Sequence, residues 1–263
     1  MIAASGLRKV FNLGTATELL AIAGVDLAVA AGEFVAVIGG NGAGKSTLLN
    51  LLAGDYSCDE GTIVIDGSDV TRTPEHVRAA WVARIFQDPM LGTAAALTVE
   101  ENLTLALMRA QGRGLRPALT STRRTRFRES LSGLRLGLEE RLGTVVSTLS
   151  GGQRQALALA MATVTPPKLL LLDEHTAALD PRTSELVMEA TVGIVAKAGL
   201  TTLMVTHNME HALRFASRIV MMDAGRIVAD IGSAEKIGLG VGDLIERFRI
   251  RDDRIVLRQT RQA

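Results

Sequence analysis

Uninterrupted apolar runs along the chain predict a sheet that is buried on both faces. Such runs lack the alternation of a half-exposed strand, and parallel strands covered by helices on both sides have this pattern. The runs lie at residues 34–38, 82–86, 169–172, 202–206 and 219–222. A small antiparallel layer beside this sheet is predicted from 25–29, 62–65 and again 34–38.

A helical period fills the middle of the chain. Residues 88–163 are predicted to be mostly helical, with 98–110 and 123–136 as the clearest helices. A further apolar run, 153–164, continues until two prolines follow it. Strands that alternate with helices predict an α/β fold with an inserted helical lobe. After residue 229, turns at Gly238, Gly240 and Gly242 precede a short predicted helix at 243–248.

Composition limits the classes of protein that fit. With 263 residues and 47% hydrophobic content, the chain can build a substantial core. The net charge of +1 gives no indication of a nucleic-acid partner, and none is expected. The single cysteine, Cys58, excludes an internal disulfide and fits a reducing compartment.

No targeting or membrane-spanning segment is expected. Residues 1–11 contain a glycine, an arginine and a lysine where a signal peptide needs an apolar core. The longest candidate span, 19–31, is too short and contains Asp26. Any membrane location is therefore expected to come through a partner.

The glycine-rich stretch after the first apolar run fits the phosphate-loop pattern G-x-x-x-x-G-K-[ST]. It follows a predicted strand and opens a predicted helix, as that pattern requires. Its backbone N–H groups are expected to surround the β-phosphate, Lys45 to reach the β- and γ-phosphates, and the Ser46 hydroxyl to ligate Mg²⁺. The loop residues are Gly39, Gly40, Asn41, Gly42, Ala43, Gly44, Lys45, Ser46 and Thr47.

Two carboxylates, Asp173 and Glu174, follow the leucine-rich strand 169–172. Ligands of open α/β sheets bind beyond the carboxyl ends of the strands, so this pair is predicted to face the same crevice as Lys45. Asp173 is a candidate to hold Mg²⁺ through its water shell, and Glu174 is a candidate to polarise the attacking water. Without the phosphate loop, the pair would be interpreted as the solvated end of a strand.

The string LSGGQRQ at residues 149–155 precedes the predicted helix 153–164. Ser150 is the predicted N-cap, and a helix start with glycines offers free N–H groups to an anion such as a phosphate. The triplet Ser150, Gly151, Gly152 alone would fit an ordinary cap that binds nothing.

Together these motifs resemble ATP-binding-cassette (ABC) ATPases over residues 1–248. Four further positions carry the resemblance: Gln87 matches the Q-loop glutamine, Asp180 ends a D-loop sequence, His207 matches the switch histidine, and Phe11 occupies the position of the aromatic residue that stacks on adenine. Tyrosine is commoner at that last position, so Phe11 retains stacking but lacks a hydroxyl.

The resemblance implies a P-loop NTPase core sheet with an antiparallel β-subdomain and an inserted α-helical subdomain. It divides the single domain 1–248 into a nucleotide-binding core, 1–88 and 164–230, and a helical subdomain, 89–163, followed by a tail, 231–263. It also implies that Gln87 joins Ser46 and Asp173 at Mg²⁺.

A head-to-tail dimer is a further implication of the resemblance. Lys45, Ser46, Gln87, Glu174 and His207 of one protomer would meet the partner's signature string across ATP. The nucleotide would also contact the D-loop Asp180. The signature residues are Ser150, Gly151, Gly152 and Gln153. The chain holds both half-sites, so a homodimer is sufficient.

Three strings, at 173–181, 206–209 and 86–89, resemble a bacterial branch of tryptophan/tyrosine-type small-solute importers. That branch implies a transmembrane permease, a periplasmic solute-binding protein and a place on the cytoplasmic face of the inner membrane. Alternatives are export, a non-transport ABC ATPase, and a small-molecule kinase. The chain has one cassette and no long insertion, which disfavours a non-transport ABC ATPase. Glu174 and His207 are expected to act on water rather than on an acceptor substrate, which disfavours a kinase.

Two features have competing interpretations. Six arginines form a basic run that would contact a permease or anionic lipid, or that forms a solvated helix face. They are Arg113, Arg116, Arg123, Arg124, Arg126 and Arg128.

His207 and His211 have a metal-compatible spacing, but Asn208 replaces the glutamate of an H-E-x-x-H zinc site. A γ-phosphate contact explains His207 better than a metal role.

Overall fold

The computed structural model describes residues 1–108 and 119–247. The strands are β1 (Ile2–Phe11), β2 (Leu19–Val29), β3 (Phe34–Gly39), β4 (Glu60–Ile65), β5 (Ser68–Asp69), β6 (Val82–Ile85), β7 (Leu169–Asp173), β8 (Thr202–Val205), β9 (Arg218–Asp223) and β10 (Arg226–Ile231). The helices are α1 (Lys45–Ala53), α2 (Glu75–Arg78), α3 (Val99–Met108), α4 (Ser121–Ser132), α5 (Gly151–Thr163), α6 (Pro181–Ala198), α7 (Met209–Phe215) and α8 (Ser233–Lys236), and residues 241–247 are also helical.

The central sheet has the strand order β10-β9-β3-β8-β7-β6 in the described part of the chain. Strands β6 to β9 and β3 pair in parallel, while β10 adds an antiparallel edge. Successive residues of β3 enter different cores: Ala36 and Ile38 pack on one face, Val35 and Val37 on the other. This two-sided burial explains the uninterrupted apolar runs, and the five predicted strands are confirmed.

The antiparallel sheet has the order β2-β1-β4-β5, which confirms the predicted layer but corrects its membership. Residues 34–38 do not belong to it, because β3 pairs with β8 and β9. Strand β1, which lies between β2 and β4, was not indicated by the sequence pattern. In β1 the alternation of buried and polar residues is interrupted around Gly6, where the pairing register with β2 shifts.

The helical lobe consists mainly of α3, α4 and α5, as predicted for residues 88–163. One short 3₁₀ turn, Pro89–Gly92, lies where the lobe begins, and another, Val146–Thr148, precedes α5. Helix α4 stops at Ser132, short of the predicted residue 136, because Arg135 adopts a left-handed φ of 56°. The residues that would extend α3 to residue 110 lie outside the described part.

One hydrophobic cluster connects the lobe to the sheet. Phe127 of α4, Leu103 of α3 and Leu157 of α5 belong to the same buried cluster as Leu170 of β7. The boundaries at 88/89 and 163/164 therefore stay a prediction. Among the described helices, none has both the length and the apolar content needed to span a bilayer.

Candidate active site

The phosphate loop connects β3 to α1 in the predicted context. Gly44, at the N-cap of α1, has a φ of 97°, and a Cβ there would lie 2.6 Å from the Ala21 carbonyl oxygen. A Cβ on Gly39 would lie 2.3 Å from the Met222 carbonyl oxygen. These positions accept only glycine. The first turn of α1 has no side-chain cap, so its backbone N–H groups can bind an anion.

Lys45 folds back over its own loop. Its Nζ donates hydrogen bonds to the carbonyl oxygens of Gly39 and Gly40, both at 2.9 Å. Burial lowers the pKa of the Lys45 ammonium, while the charges of Glu174 and Asp173 oppose that shift. Lys45 and the acidic pair thus share one electrostatic environment, although they are far apart in sequence. Beside Lys45 in the loop, Asn41, Gly42 and Ser46 are exposed, Thr47 is half-buried, and Ala43 is buried.

The acidic pair lies at the end of β7. Asp173 is paired with Val205 of β8, and Glu174 leaves the strand with a left-handed φ of 47°. Such a backbone conformation is unfavourable for glutamate and is over-represented at functional sites. It directs Glu174 towards His207, whose Nε2 lies 2.6 Å from Glu174 Oε1. The imidazole is the donor in this contact because a carboxylate can only accept.

A cleft of about 540 Å³ opens beside this pair, between the segment after β7 and the segment after β8. His207 and His211 both line it but face different carboxylates. His211 Nε2 lies 3.5 Å from Glu185 on α6. In the described part of the chain, no cluster of three or more histidine, cysteine or acidic residues could hold a metal.

The signature string forms the start of α5. Ser150 is its N-cap: Gln153 N donates to Ser150 Oγ at 3.3 Å, and Ser150 N donates to Gln153 Oε1 at 3.2 Å. This reciprocal capping box confirms the predicted cap. Ser150 and Gly151 are exposed, whereas Gly152 packs so closely that a Cβ would lie 2.2 Å from Thr183 Cγ2.

The remaining predicted residues lie at the ends of other elements. Phe11 ends β1, half-buried. Gln87 is exposed just after β6, at the joint between sheet and lobe. Asp180 caps α6 by accepting a hydrogen bond from Thr183 N at 3.1 Å, and its hydrogen bonds to Thr183 lower the pKa of the Asp180 carboxyl.

The structure joins part of the predicted site and leaves part separate. Lys45, Asp173, Glu174 and His207 come together around the ends of β3, β7 and β8. Ser150 and Gln153 instead form hydrogen bonds with each other in the cap, and Gln153 Nε2 donates to the Leu136 carbonyl oxygen. Arg113 and Arg116 of the basic run lie outside the described residues, and Arg124 pairs with Glu100 at 2.6 Å.

Three residues near the site were not singled out from the sequence. Tyr56, the only tyrosine, contacts Phe11 edge-on with ring centroids 5.2 Å apart. Gln155, buried in α5, donates to the Phe86 carbonyl oxygen at 3.3 Å and so ties the signature helix to the residue before Gln87. Arg84 of β6 donates to Asp173 Oδ2 at 2.7 Å. Tyr56 could have been singled out because aromatic residues are rare in this chain. The neighbouring sequence gave no indication of the contacts that Gln155 and Arg84 make.

His175, which follows Glu174, is fully buried. Its Nε2 lies 3.2 Å from Thr191 Oγ1, and Thr191 in turn donates to the Val187 carbonyl oxygen. Thr191 therefore accepts from the imidazole, which fixes the tautomer with a proton on Nε2. Burial, with a smaller contribution from nearby His211, lowers the pKa of His175 from 6.5 to about 3.

Comparisons with known proteins agree with this geometry. The sequence profile of the family described as "ABC transporter" matches residues 22–177. The tyrosine transport ATP-binding protein of Clostridioides difficile is 46% identical over 217 residues, which cover 82% of this chain and 86% of that protein. The methionine import ATP-binding protein MetN of Caulobacter vibrioides is 38% identical, covering 87% of this chain and 67% of that protein.

The fold also matches solved cassettes. A dimeric ATP-binding cassette in a post-hydrolysis state, bound to ADP and Pi, superposes with a TM-score of 0.76 at 28% identity, covering 89% of this chain and 99% of that one. The predicted P-loop fold and the resemblance to the tryptophan/tyrosine-type branch are confirmed, as are ATP binding and ATPase activity. The chain belongs to the ABC transporter family, as an ATP-binding and ATP-hydrolysing subunit.

Proposed function

We propose that this ATPase energises a membrane permease that imports an amino-acid-like solute delivered by a periplasmic binding protein. The observation that carries the proposal is the 46% identity, over most of both chains, to a tyrosine transport ATP-binding protein. Similarity to methionine and thiamine import proteins supports the direction of transport. The chain would lie on the cytoplasmic face of the membrane, held there by the permease.

We call the phosphate loop together with Asp173, Glu174 and His207 the phosphate edge of the sheet. Its geometry supports the assignment of nucleotide-binding residues. Free N–H groups at the start of α1 would hold the β-phosphate, and Lys45 would exchange its two loop carbonyls for phosphate oxygens. Phe11, supported by Tyr56, would stack on adenine. The neighbouring carboxylates help keep Lys45 charged for this exchange.

The residues near the phosphate edge fit Mg²⁺. The exposed Ser46 hydroxyl, the Asp173 carboxylate and the exposed Gln87 amide offer oxygen donors, which this cation prefers. Together with phosphate oxygens and water they would hold it, because alone they are too few for a protein-only site. When bound, the cation would neutralise charge on the phosphates.

Glu174 is proposed to act as the general base. One of its oxygens already accepts from His207, which leaves the other to accept a proton from the attacking water. The left-handed backbone and the burial of the Glu174 side chain hold that carboxylate in place. His207, half-exposed at the cleft, would keep Glu174 oriented and contact the γ-phosphate.

The second half-site is proposed to come from a second copy of the chain. Ser150 and Gly151 are exposed at the start of α5, and the rest of the protomer does not cover them. A homodimer would place Ser150, Gly151 and Gly152 of one copy on the ATP of the other, with Asp180 nearby. Dimeric cassettes of the same fold support this arrangement.

Coupling to the permease is proposed to pass through the joint after β6. A groove of about 160 Å³ there is lined by Phe86, Leu105, Ala106 and Met161. Leu105 is 51% exposed, and the Gln155 contact ties this groove to the signature helix. A permease helix in the groove would respond to the position of Gln87.

Co-purification tests this proposal. The tagged chain, expressed with the membrane proteins encoded beside it, should retain a permease through detergent extraction and support ATP-dependent tyrosine uptake into membrane vesicles. Leu105→Asp should abolish retention and uptake while the purified ATPase still hydrolyses ATP, since Leu105 lies outside the nucleotide site. Failure to retain any permease would favour a non-transport ATPase, and ATP-dependent extrusion would favour an exporter.

A further inference from the structure

Arg84 joins three elements around the acidic pair. Its Nη1 donates to Asn50 Oδ1 on α1 at 2.6 Å and to the carboxylate of Asp55, which follows α1. Its Nη2 donates to Asp173 Oδ2 at 2.7 Å. The Arg84 side chain is only 12% exposed, and its Nε has no hydrogen-bond partner within the described structure.

The position of Arg84 in β6 makes a charge there unexpected. Alternation along the strand puts Arg84 on the same face as Val82, which packs into the core formed with α1. A guanidinium on that face must be compensated by hydrogen-bonded carboxylates, and an apolar residue of similar volume would avoid this cost. The guanidinium also lies over the Phe86 ring, 4.7 Å from its centroid, but that contact does not explain its bond to Asp173.

The geometry of the bond to Asp173 offers an explanation. A guanidinium is a rigid fork, so the bonds to Asn50 and Asp55 fix the direction of the bond to Asp173. With Oδ2 engaged, Asp173 presents Oδ1 as its free oxygen. The Arg84 charge also weakens the negative potential at Asp173, and Asp55 offsets part of that effect.

We propose that Arg84, together with Asp55, sets how strongly Asp173 attracts the cation of bound Mg²⁺–ATP. Arg84 holds one carboxylate oxygen of Asp173 and weakens the negative potential at the oxygen that is left for the cation. This inference rests on the proposed role of Asp173 at the cation.

Substitutions at Arg84 and Asp55 should act in opposite directions. Arg84→Met removes the positive charge and leaves Asp173 unneutralised, so the cation should contribute more to ATP binding. Asp55→Asn keeps an acceptor for Arg84 but removes its counter-charge, so the full Arg84 charge acts on Asp173 and the cation should contribute less. A merely structural ion-pair network would respond to both changes with the same loss.

This effect is measured by a ratio: the dissociation constant for ATP in EDTA divided by the dissociation constant in excess Mg²⁺. ATP binding is titrated with a fluorescent ATP analogue, once with excess Mg²⁺ and once with EDTA, and by linkage the ratio gives the contribution of the cation. Arg84→Met should raise the ratio about threefold or more, and Asp55→Asn should lower it by a similar factor. Arg84→Lys should return the ratio towards the wild-type value, because the charge is restored. Thermal unfolding checks that each variant is folded.

Each outcome separates the inference from the proposed function. Ratios that move together in both variants, or in neither, overturn the role of Arg84. A wild-type protein whose ATP affinity does not depend on Mg²⁺ overturns both the Asp173 assignment and the inference. A wild-type protein that binds no ATP in either buffer overturns the proposed site itself.

Discussion

The two proposed halves of the ATP site differ in how complete they are within one protomer. At the phosphate edge, each charged side chain already has a partner within the protomer. Lys45 donates to carbonyl oxygens of its own loop, Glu174 contacts His207, and Asp173 contacts Arg84. At the signature end, Ser150 and Gln153 cap only their own helix. In the proposed site, the first half would be pre-organised for chemistry, and the second would offer a rigid anion-binding surface to the ATP of another copy.

This difference matters because the two halves have different costs of assembly. Groups held in place before ATP binds need no reorganisation when charge develops in the reaction. A capped helix start is equally rigid, but its exposed position lets it contact a ligand only after two copies approach. ATP would then favour the dimer because it binds both halves at once.

The largest predicted effect concerns the phosphate edge alone. Glu174→Gln keeps the size of the side chain and its contact distance to His207, but an amide cannot take a proton from water. Turnover should fall by about 10²-fold or more while ATP binding is retained. Phosphate release and equilibrium ATP binding measure the two effects.

The same variant also sharpens the comparison, because blocked hydrolysis should preserve the ATP-bound dimer. Size-exclusion chromatography of Glu174→Gln should show a dimer with ATP and a monomer with ADP. Turnover close to that of the wild type would remove Glu174 from the role of base, and a monomer under both conditions would contradict the composite site.

A structural feature could be predicted from the sequence when the residues that form it lie close together along the chain or leave a continuous pattern. The five parallel strands were predicted because burial on both faces leaves a continuous apolar run, and the Ser150 cap was predicted because its partner is three residues away. Strand β1 was missed because polar positions and the register shift at Gly6 interrupt its pattern. Arg84 was missed because its partner Asp173 is 89 residues away.

The next prediction tests whether the signature end acts on the partner's ATP. Ser150→Asp keeps a good N-cap but places a negative charge where a phosphate should bind, and Ser150→Asn is the neutral control with the same cap. Ser150→Asp should lower turnover by more than about 30-fold, with little change for Ser150→Asn. Gly152 is a poorer target, because any side chain there would clash with Thr183 of the same protomer.

Mixed dimers separate action on the partner from action within one protomer. In a Glu174→Gln background, a dimer of one Lys45→Met chain and one Ser150→Asp chain has a single intact composite site if Ser150 acts on the partner. It should therefore trap about half the ATP of a dimer without these changes. Trapping of none would place both residues in one site of the same protomer. A dimer of two Ser150→Asp chains should trap none, and trapping by that dimer would make Ser150 irrelevant to ATP.

The smallest predicted effect concerns His175, the buried residue that follows Glu174 at the phosphate edge. Its folded-state pKa, about 3, is below the ordinary value of 6.5, so the unfolded chain binds a proton first as the pH falls. The stability that neutral His175 provides is therefore complete above about pH 6.5 and is lost progressively between pH 6.5 and 3. Between pH 7 and 5 the loss should be about 2 kcal/mol.

His175→Gln isolates this contribution, because its amide can still donate to Thr191 but does not titrate. Urea unfolding at pH 7 and pH 5 should show a smaller loss of unfolding free energy in His175→Gln than in the wild type, with His76→Gln, at an exposed position, as the control. ATP binding at pH 5 should weaken in step with stability if the phosphate edge depends on this buried support. An equal loss in His175→Gln and the wild type would show that His175 takes up a proton in the folded protein as readily as in the unfolded chain, and the pre-organisation of Glu174 at pH 5 could then not depend on a neutral imidazole.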